Sequence, residues 1–243
     1  TMKHVGVNVA ADPLFTAAYT GVGGGLVLLA ADDPGMYSSQ NEQDSHYYAQ
    51  AAHVLMLDPA DSQEAYDLTR SAFDLSERFD VPVMIRSTVR ISHTKTPVEP
   101  ASPQSAPEQA PYETDPSKWV MMPAFAKGRR LAQIERDEAL RAWADGSDLN
   151  LRILRSSEKG IICAGAAYQH VAEALPEASI LKLGVTNPVP IETIRSFARE
   201  VDEVYVVEEG SRFLRDAAAA SGVTVAPFPH PLPEAGELSP NLI

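Results

Sequence analysis

Residues 54–89, VLMLDPADSQEAYDLTRSAFDLSERFDVPVMIRSTV, carry the pattern that decides the fold. Val54 to Leu57 is a short apolar run closed by Asp58-Pro59, which suits a buried strand. Asp61 with Glu64 three positions on has the form of a capping box, so a helix starts there. Behind that cap, Ala65, Leu68, Ala72, Leu75 and Phe79 recur at helical spacing and define one apolar face. Asp80 closes the helix, and residues 81–89 return as a second strand. Strand, capped helix and strand with tight joints is the unit of a parallel sheet flanked by helices.

The same alternation extends on both sides. Residues 13–19 read as an apolar helix, 25–31 (GLVLLAA) as a buried strand, and 44–52 as a short helix. Between 96 and 116 the composition changes to six prolines with Ser, Gln and Glu and no Lys or Arg, the mark of a linker or surface excursion. Residues 124–144 read as an amphipathic helix whose Lys127, Arg129, Arg130 and Arg136 form a solvated basic face. Alternation then resumes, with strands at 160–165, 179–184, 204–207 and 223–226. Helices are expected at 168–175, from Pro190 as first helical residue, and from a Ser211 cap to Gly222. The expected fold is α/β, two three-layer domains with mostly parallel sheets: 1–94, a proline-rich linker and connecting helix at 95–149, and 150–243.

Composition narrows the function. The 243 residues carry 20 Lys and Arg against 33 Asp and Glu, a net charge of −13, so phosphate backbones and anionic membranes are unsuitable partners. The longest apolar run, about ten residues from Gly21, is too short to span a bilayer. No secretory signal is visible, and the expected location is cytoplasmic. One cysteine, Cys163, excludes an internal disulfide, a tetrathiolate zinc site and an iron–sulphur cluster within these residues. Its place in an apolar strand makes it a packing residue rather than a nucleophile.

Residues 32–44, DDPGMYSSQNEQD, are the densest polar stretch, and they leave the carboxyl end of a buried strand. Open α/β sheets place ligands there. A ligand-contacting loop and a surface loop that caps the next helix both fit. A divalent metal on Asp32, Asp33, Glu42 and Asp44 is chemically admissible. Lys3 and His4 lie near a strand end, where they either bind an anion or serve structure. One of Arg86, Arg90 and His93 can reach the same crevice, although their alternation also suits a solvated strand end. Gly21, Gly23, Gly24 and Gly25 precede their strand, so they read as an entry turn rather than a phosphate loop. Gly165 reads as allowing close packing of helix on strand.

The stretch 2–48, MKHVGVNVAADPLFTAAYTGVGGGLVLLAADDPGMYSSQNEQDSHYY, closely resembles the alpha subunit of indolepyruvate ferredoxin oxidoreductases, a family of thiamine-diphosphate-dependent 2-oxoacid oxidoreductases. The resemblance continues through GIICAGAAYQHVAEAL, LKLGVTNPVP and VDEVYVVEEG, and it lapses near 96–111. It implies that residues 1–94 are the latter part of a pyrimidine-binding domain and that 150–243 form a transketolase C-terminal-like domain. It implies thiamine diphosphate with Mg²⁺, held mainly by a further domain, and coenzyme A as co-substrate. Iron–sulphur clusters, a beta subunit, ferredoxin and an oligomeric enzyme are implied outside this chain. The family's catalytic glutamate is expected before residue 1; Glu42 is not its match, so the chain is expected to be a fragment that is inactive alone. Lys3, His4, Gly6, Asn8, Asp32, Ser38, Ser39, Gln40, Asn41 and Asp44 are the expected crevice lining. Two other readings stay open: a non-catalytic assembly module, and a related 2-oxoacid oxidoreductase or transketolase-type enzyme with another substrate.

Overall fold

The computed structural model describes residues 1–102 and 114–243. The expected proline-rich segment therefore lies partly outside the described residues. Along the chain run β1 (Met2–Lys3), α1 (His4–Val9), α2 (Ala11–Thr20), β2 (Val27–Asp32), α3 (Ser45–Ala52), β3 (Leu55–Leu57), α4 (Ser62–Phe79), β4 (Val83–Thr88) and α5 (Val89–His93). After α6 (Pro116–Trp119) and α7 (Pro123–Asp145) come β5 (Leu151–Ile153), β6 (Lys159–Ala164), α8 (Ala167–Ala174), β7 (Ser179–Leu183), β8 (Val185–Asn187), α9 (Ile191–Ala198), β9 (Glu203–Val207) and α10 (Phe213–Ala220).

The first sheet has the order β1-β2-β4-β3-β8, parallel except for β8. Every residue of β4 is buried, as a central strand covered on both faces requires. The α4 cap forms as the sequence predicts: the Glu64 N–H donates to Asp61 Oδ1 at 2.9 Å, and Leu68, Ala72 and Leu75 are buried. The second sheet has the order β5-β7-β6-β9, with β5 antiparallel to β7. Ile161 and Cys163 of β6 point into one apolar layer, and Ile162 with Leu181 and Phe197 into the other. That alternation makes three layers. No helix among the described residues is long and apolar enough to cross a membrane.

Several local expectations are corrected. Strand β8, from the stretch expected to build only the second sheet, pairs with β3 of the first through Met56↔Asn187 and Leu57↔Val185. It starts after Gly184, where a Cβ would stand 2.3 Å from the Leu149 carbonyl oxygen, so only glycine fits. The expected strand at 223–226 is reduced to one parallel bridge, Val204↔Val225, on an already formed edge. Pro190 stands at the N-cap rather than inside α9. Ser211 does not cap α10. The Glu208 carboxylate does, accepting from the N–H groups of Leu214 at 2.7 Å and Arg215 at 3.1 Å.

The basic residues of α7 are not simply solvated. Arg129 donates to the carbonyls of Tyr19 and Thr20, and Arg136 to those of Ala18 and Asp80. They satisfy the orphan carbonyls at the end of α2, where a cation also complements the helix dipole. The glycine turn at 21–25 is an entry turn as expected, with Gly21 and Gly23 at positive φ. The N–H groups of Val22 and Gly23 both donate to Asp80. Gly165 is explained by its φ of +56° rather than by close packing, since the nearest atom to an added Cβ is 3.8 Å away.

Candidate functional site

The carboxyl ends of β2, β4 and β3 are adjacent because β4 lies between the other two. They bring Asp32, Thr88 and Asp58 to one edge of the sheet. Two polar assemblies are built there.

The first is the loop 33–43 with α1. Asp33 organises it, accepting from the N–H groups of Tyr37 and Ser38, from Ser39 Oγ at 2.6 Å and from Lys3 Nζ at 3.3 Å. Burial alone would raise the Asp33 pKa, but these hydrogen bonds bring it down to about 2. Lys3 also donates to Ser38 Oγ at 2.9 Å. His4 Nε2 donates to the Asn41 carbonyl at 3.0 Å. Asn8 donates to Gln43 Oε1 and to the Tyr48 hydroxyl. Expected lining residues Lys3, His4, Asn8, Ser38, Ser39 and Asn41 therefore converge. Gln40 is exposed at the same loop. Gly6 makes a different contribution: an added Cβ would stand 2.9 Å from Met2 Cβ, so it permits the tight start of α1.

The second assembly is buried and separate. Arg86, from the centre of β4, donates through Nε to Asp32 at 2.7 Å. It lies 3.8 Å from Asp44 and 3.7 Å from Asp58. His46 joins Asp44 through Nδ1 at 2.6 Å and Asp58 through Nε2 at 3.0 Å. Its ring stacks on Phe213 of the second unit, centroids 4.7 Å apart. Asp32 also accepts from the N–H and hydroxyl of Ser45. Asp32 and Asp44, expected beside a ligand, thus staple the two ends of the loop to Arg86. Arg86, His46 and Asp58 escaped the list of expected residues, although Arg86 was one of three candidates for reaching this crevice. Nothing in the local pattern marked His46 or Asp58.

Burial would lower the His46 pKa, but the charges of Asp58 and Asp44 raise it to about 9. Burial would raise that of Asp44; the charge and hydrogen bonds of His46, with Arg86, hold it well below the usual range. Burial pushes Glu208 up to about 7 and, with Asp44, raises Glu42. The sign for His46 follows by linkage. Its stabilisation is complete below pH 6.5, its value when unfolded, and is lost as pH rises towards 9. Stability is expected to fall by roughly 3 kcal/mol across that interval, and His46→Gln to flatten it. Denaturant titrations at pH 6 and 9 check this.

The metal reading of Asp32, Asp33, Glu42 and Asp44 fails geometrically. Asp32 and Asp44 face Arg86, Asp33 faces Lys3 and the loop amides, and no group of three or more His, Cys, Asp or Glu among the described residues could hold a metal ion. A cleft of about 350 Å³ lies between the loop and the second unit, lined by Glu42, Asp44, Gly210, Ser211, Arg212 and Glu234. Arg212 is paired with Glu234. Such an acidic wall repels phosphate, so the diphosphate and metal end of a thiamine cofactor does not fit the residues of this cleft.

Residues 30–143 match the model of the family described as pyruvate flavodoxin/ferredoxin oxidoreductase, thiamine diphosphate-binding. The architecture agrees with a 2-oxoglutarate:ferredoxin oxidoreductase from Magnetococcus marinus, at TM-score 0.70 and 14% identity over 99% of this chain and 50% of that one. A split-gene transketolase aligns at TM-score 0.53 and 16% identity, over 90% of this chain and 60% of that one. The chain is therefore of the class built on the thiamine-diphosphate-binding folds of the 2-oxoacid oxidoreductases. Subunit IorA of the indolepyruvate oxidoreductase of Methanothermobacter thermautotrophicus is 40% identical over 229 residues, 91% of this chain. Within that class, the chain is similar to the IorA subunits along most of its length. It spans 37% of the length of that relative.

Proposed function

We propose that the chain serves an enzyme that oxidatively decarboxylates aryl 2-oxoacids, indolepyruvate foremost, to acyl-CoA, with ferredoxin as electron acceptor in the cytoplasm. The observation that carries this is a polar loop stapled at both ends to the carboxyl edge of a parallel sheet, in a chain 40% identical to an indolepyruvate oxidoreductase subunit. Thiamine diphosphate, when bound, would supply the electron sink for decarboxylation. Its Mg²⁺ and diphosphate belong to other domains or subunits in this reading, as do the iron–sulphur clusters. Cys163, alone and buried with its thiol pushed up to about 12, is not an electron carrier.

What this chain contributes is the wall of the crevice. Asp33 holds the loop, Lys3 neutralises Asp33 and fixes Ser38, and His4 pins the Asn41 carbonyl. The amides of Gln40 and Asn41 are presented at the exposed rim, where they contact the organic end of the cofactor or the oxoacid. The ten residues expected as lining thus divide by role: six shape the rim, Gln40 extends it, Gly6 sets the turn, and Asp32 and Asp44 anchor it.

The test is dye-coupled oxidation of indolepyruvate with coenzyme A and a viologen. The complete enzyme is expected to turn over and this chain alone to give none. Asp33→Asn in the complete enzyme removes a charged acceptor of several hydrogen bonds and should raise the oxoacid KM about tenfold. Turnover by the chain alone, or an unaltered KM in Asp33→Asn, would refute the proposal.

A further inference from the structure

At the amino-terminal side of β3, away from the loop, α7 of the first unit faces α9 and α10 of the second across a cleft of about 440 Å³. We propose that this cleft binds a small organic anion, a carboxylate or phosphate carried on an apolar body. Its volume falls within the range of small-molecule sites, which favour the junctions of structural units. Its floor is preformed, because Asn187 donates to the Val54 carbonyl at 2.6 Å and so ties β8 to the start of β3.

The charge of the wall is opposite to that of the chain. Arg141 and Arg195 both line it, in a protein of net charge −13. Asp137 is the one carboxylate in the wall, and His53 Nδ1 already holds it at 2.6 Å. Arg141 has no hydrogen bond or ion pair among the described residues, and the residue is exposed. Arg195 is fixed by the Ser221 carbonyl through Nε and by Glu192, itself outside the wall, through Nη1. One positioned and one unengaged guanidinium suit an oxyanion, which each can receive through charge-assisted hydrogen bonds. Leu140, Val189 and Ile191 supply the apolar side that a bare inorganic ion would not need. This site requires neither the cofactor nor the oxoacid crevice.

Calorimetric titration of the protein with benzoate, phenyl phosphate and the neutral isostere benzamide tests it. At least one of the two anions is expected to bind once per chain, at least tenfold more tightly than benzamide, and the tighter of the two identifies the head group. Arg141→Met should weaken that anion at least tenfold while leaving the denaturation midpoint in place, because no internal hydrogen bond or ion pair is removed. Ala220→Phe keeps the charges but fills the cleft, and it should abolish binding equally. Benzamide binding as tightly as the anions, or anion affinity unchanged in both variants, would overturn the proposal.

Discussion

Arg86→Met should lower the stability of the protein by about 3–5 kcal/mol at neutral pH, the range for removing one partner from a buried ion cluster. Methionine replaces the volume of the side chain but none of its charge. Asp32, Asp44 and Asp58, each at most 3% exposed at the side chain, would then share only His46 as a cation. Arg86→Lys should recover part of the loss, since an ammonium can meet one carboxylate but cannot span three as the guanidinium does. The deficit of Arg86→Met should shrink as pH falls towards 4, because Asp44, held low by His46 and Arg86, takes up a proton more readily once the guanidinium is gone. A second readout is local. Asp32 and Asp44 bound the loop, so amide exchange across residues 33–43 should accelerate more than exchange in β6 or β7. Denaturant midpoints and exchange rates of the variants measure both. A cost below about 1 kcal/mol, or a cost that does not vary with pH, would show that the cluster is not the staple described above.

The same cluster shows how far the sequence could be read. Periodicity and capping are local, so α4 and its Asp61 cap were legible, as were β2, β3, β4, β6 and β7. The polar loop stood out because thirteen residues leave a strand with four carboxylates, more than a turn needs. What those carboxylates touch was not legible. Arg86 is the fourth residue of a fully buried strand, and only the position of β4 between β2 and β3 sets it among Asp32, Asp44 and Asp58. His46 looks like any polar residue near a helix start until Phe213, 167 positions on, covers it. Strand β8 was missed for a related reason. Three residues after a glycine carry no periodicity of their own, and their strand exists because β3 has a free edge. The basic face of α7 was misread because charge patterning does not reveal the exposed carbonyls at the end of α2.

A second buried charge joins the two units, and here the two partners should be unequal. Lys182, on β7, has a side chain only 2% exposed and donates to Glu64 Oε2 on α4 at 2.5 Å. Glu64 is 31% exposed and also accepts from the Ala60 N–H at 2.8 Å. Glu64→Ala therefore strands an ammonium among apolar neighbours such as Cys163, its partner in register on β6. That change should cost about 3–5 kcal/mol. Lys182→Met leaves a carboxylate that water and the Ala60 amide still satisfy, and it should cost no more than about 1 kcal/mol. The double variant should lie close to Lys182→Met, giving a coupling of at least 2 kcal/mol or so in a double-mutant cycle. Equal costs for the two single variants would place the energy in the ion pair itself; the geometry instead places it in the desolvation of Lys182, which Glu64 alone among the described residues offsets.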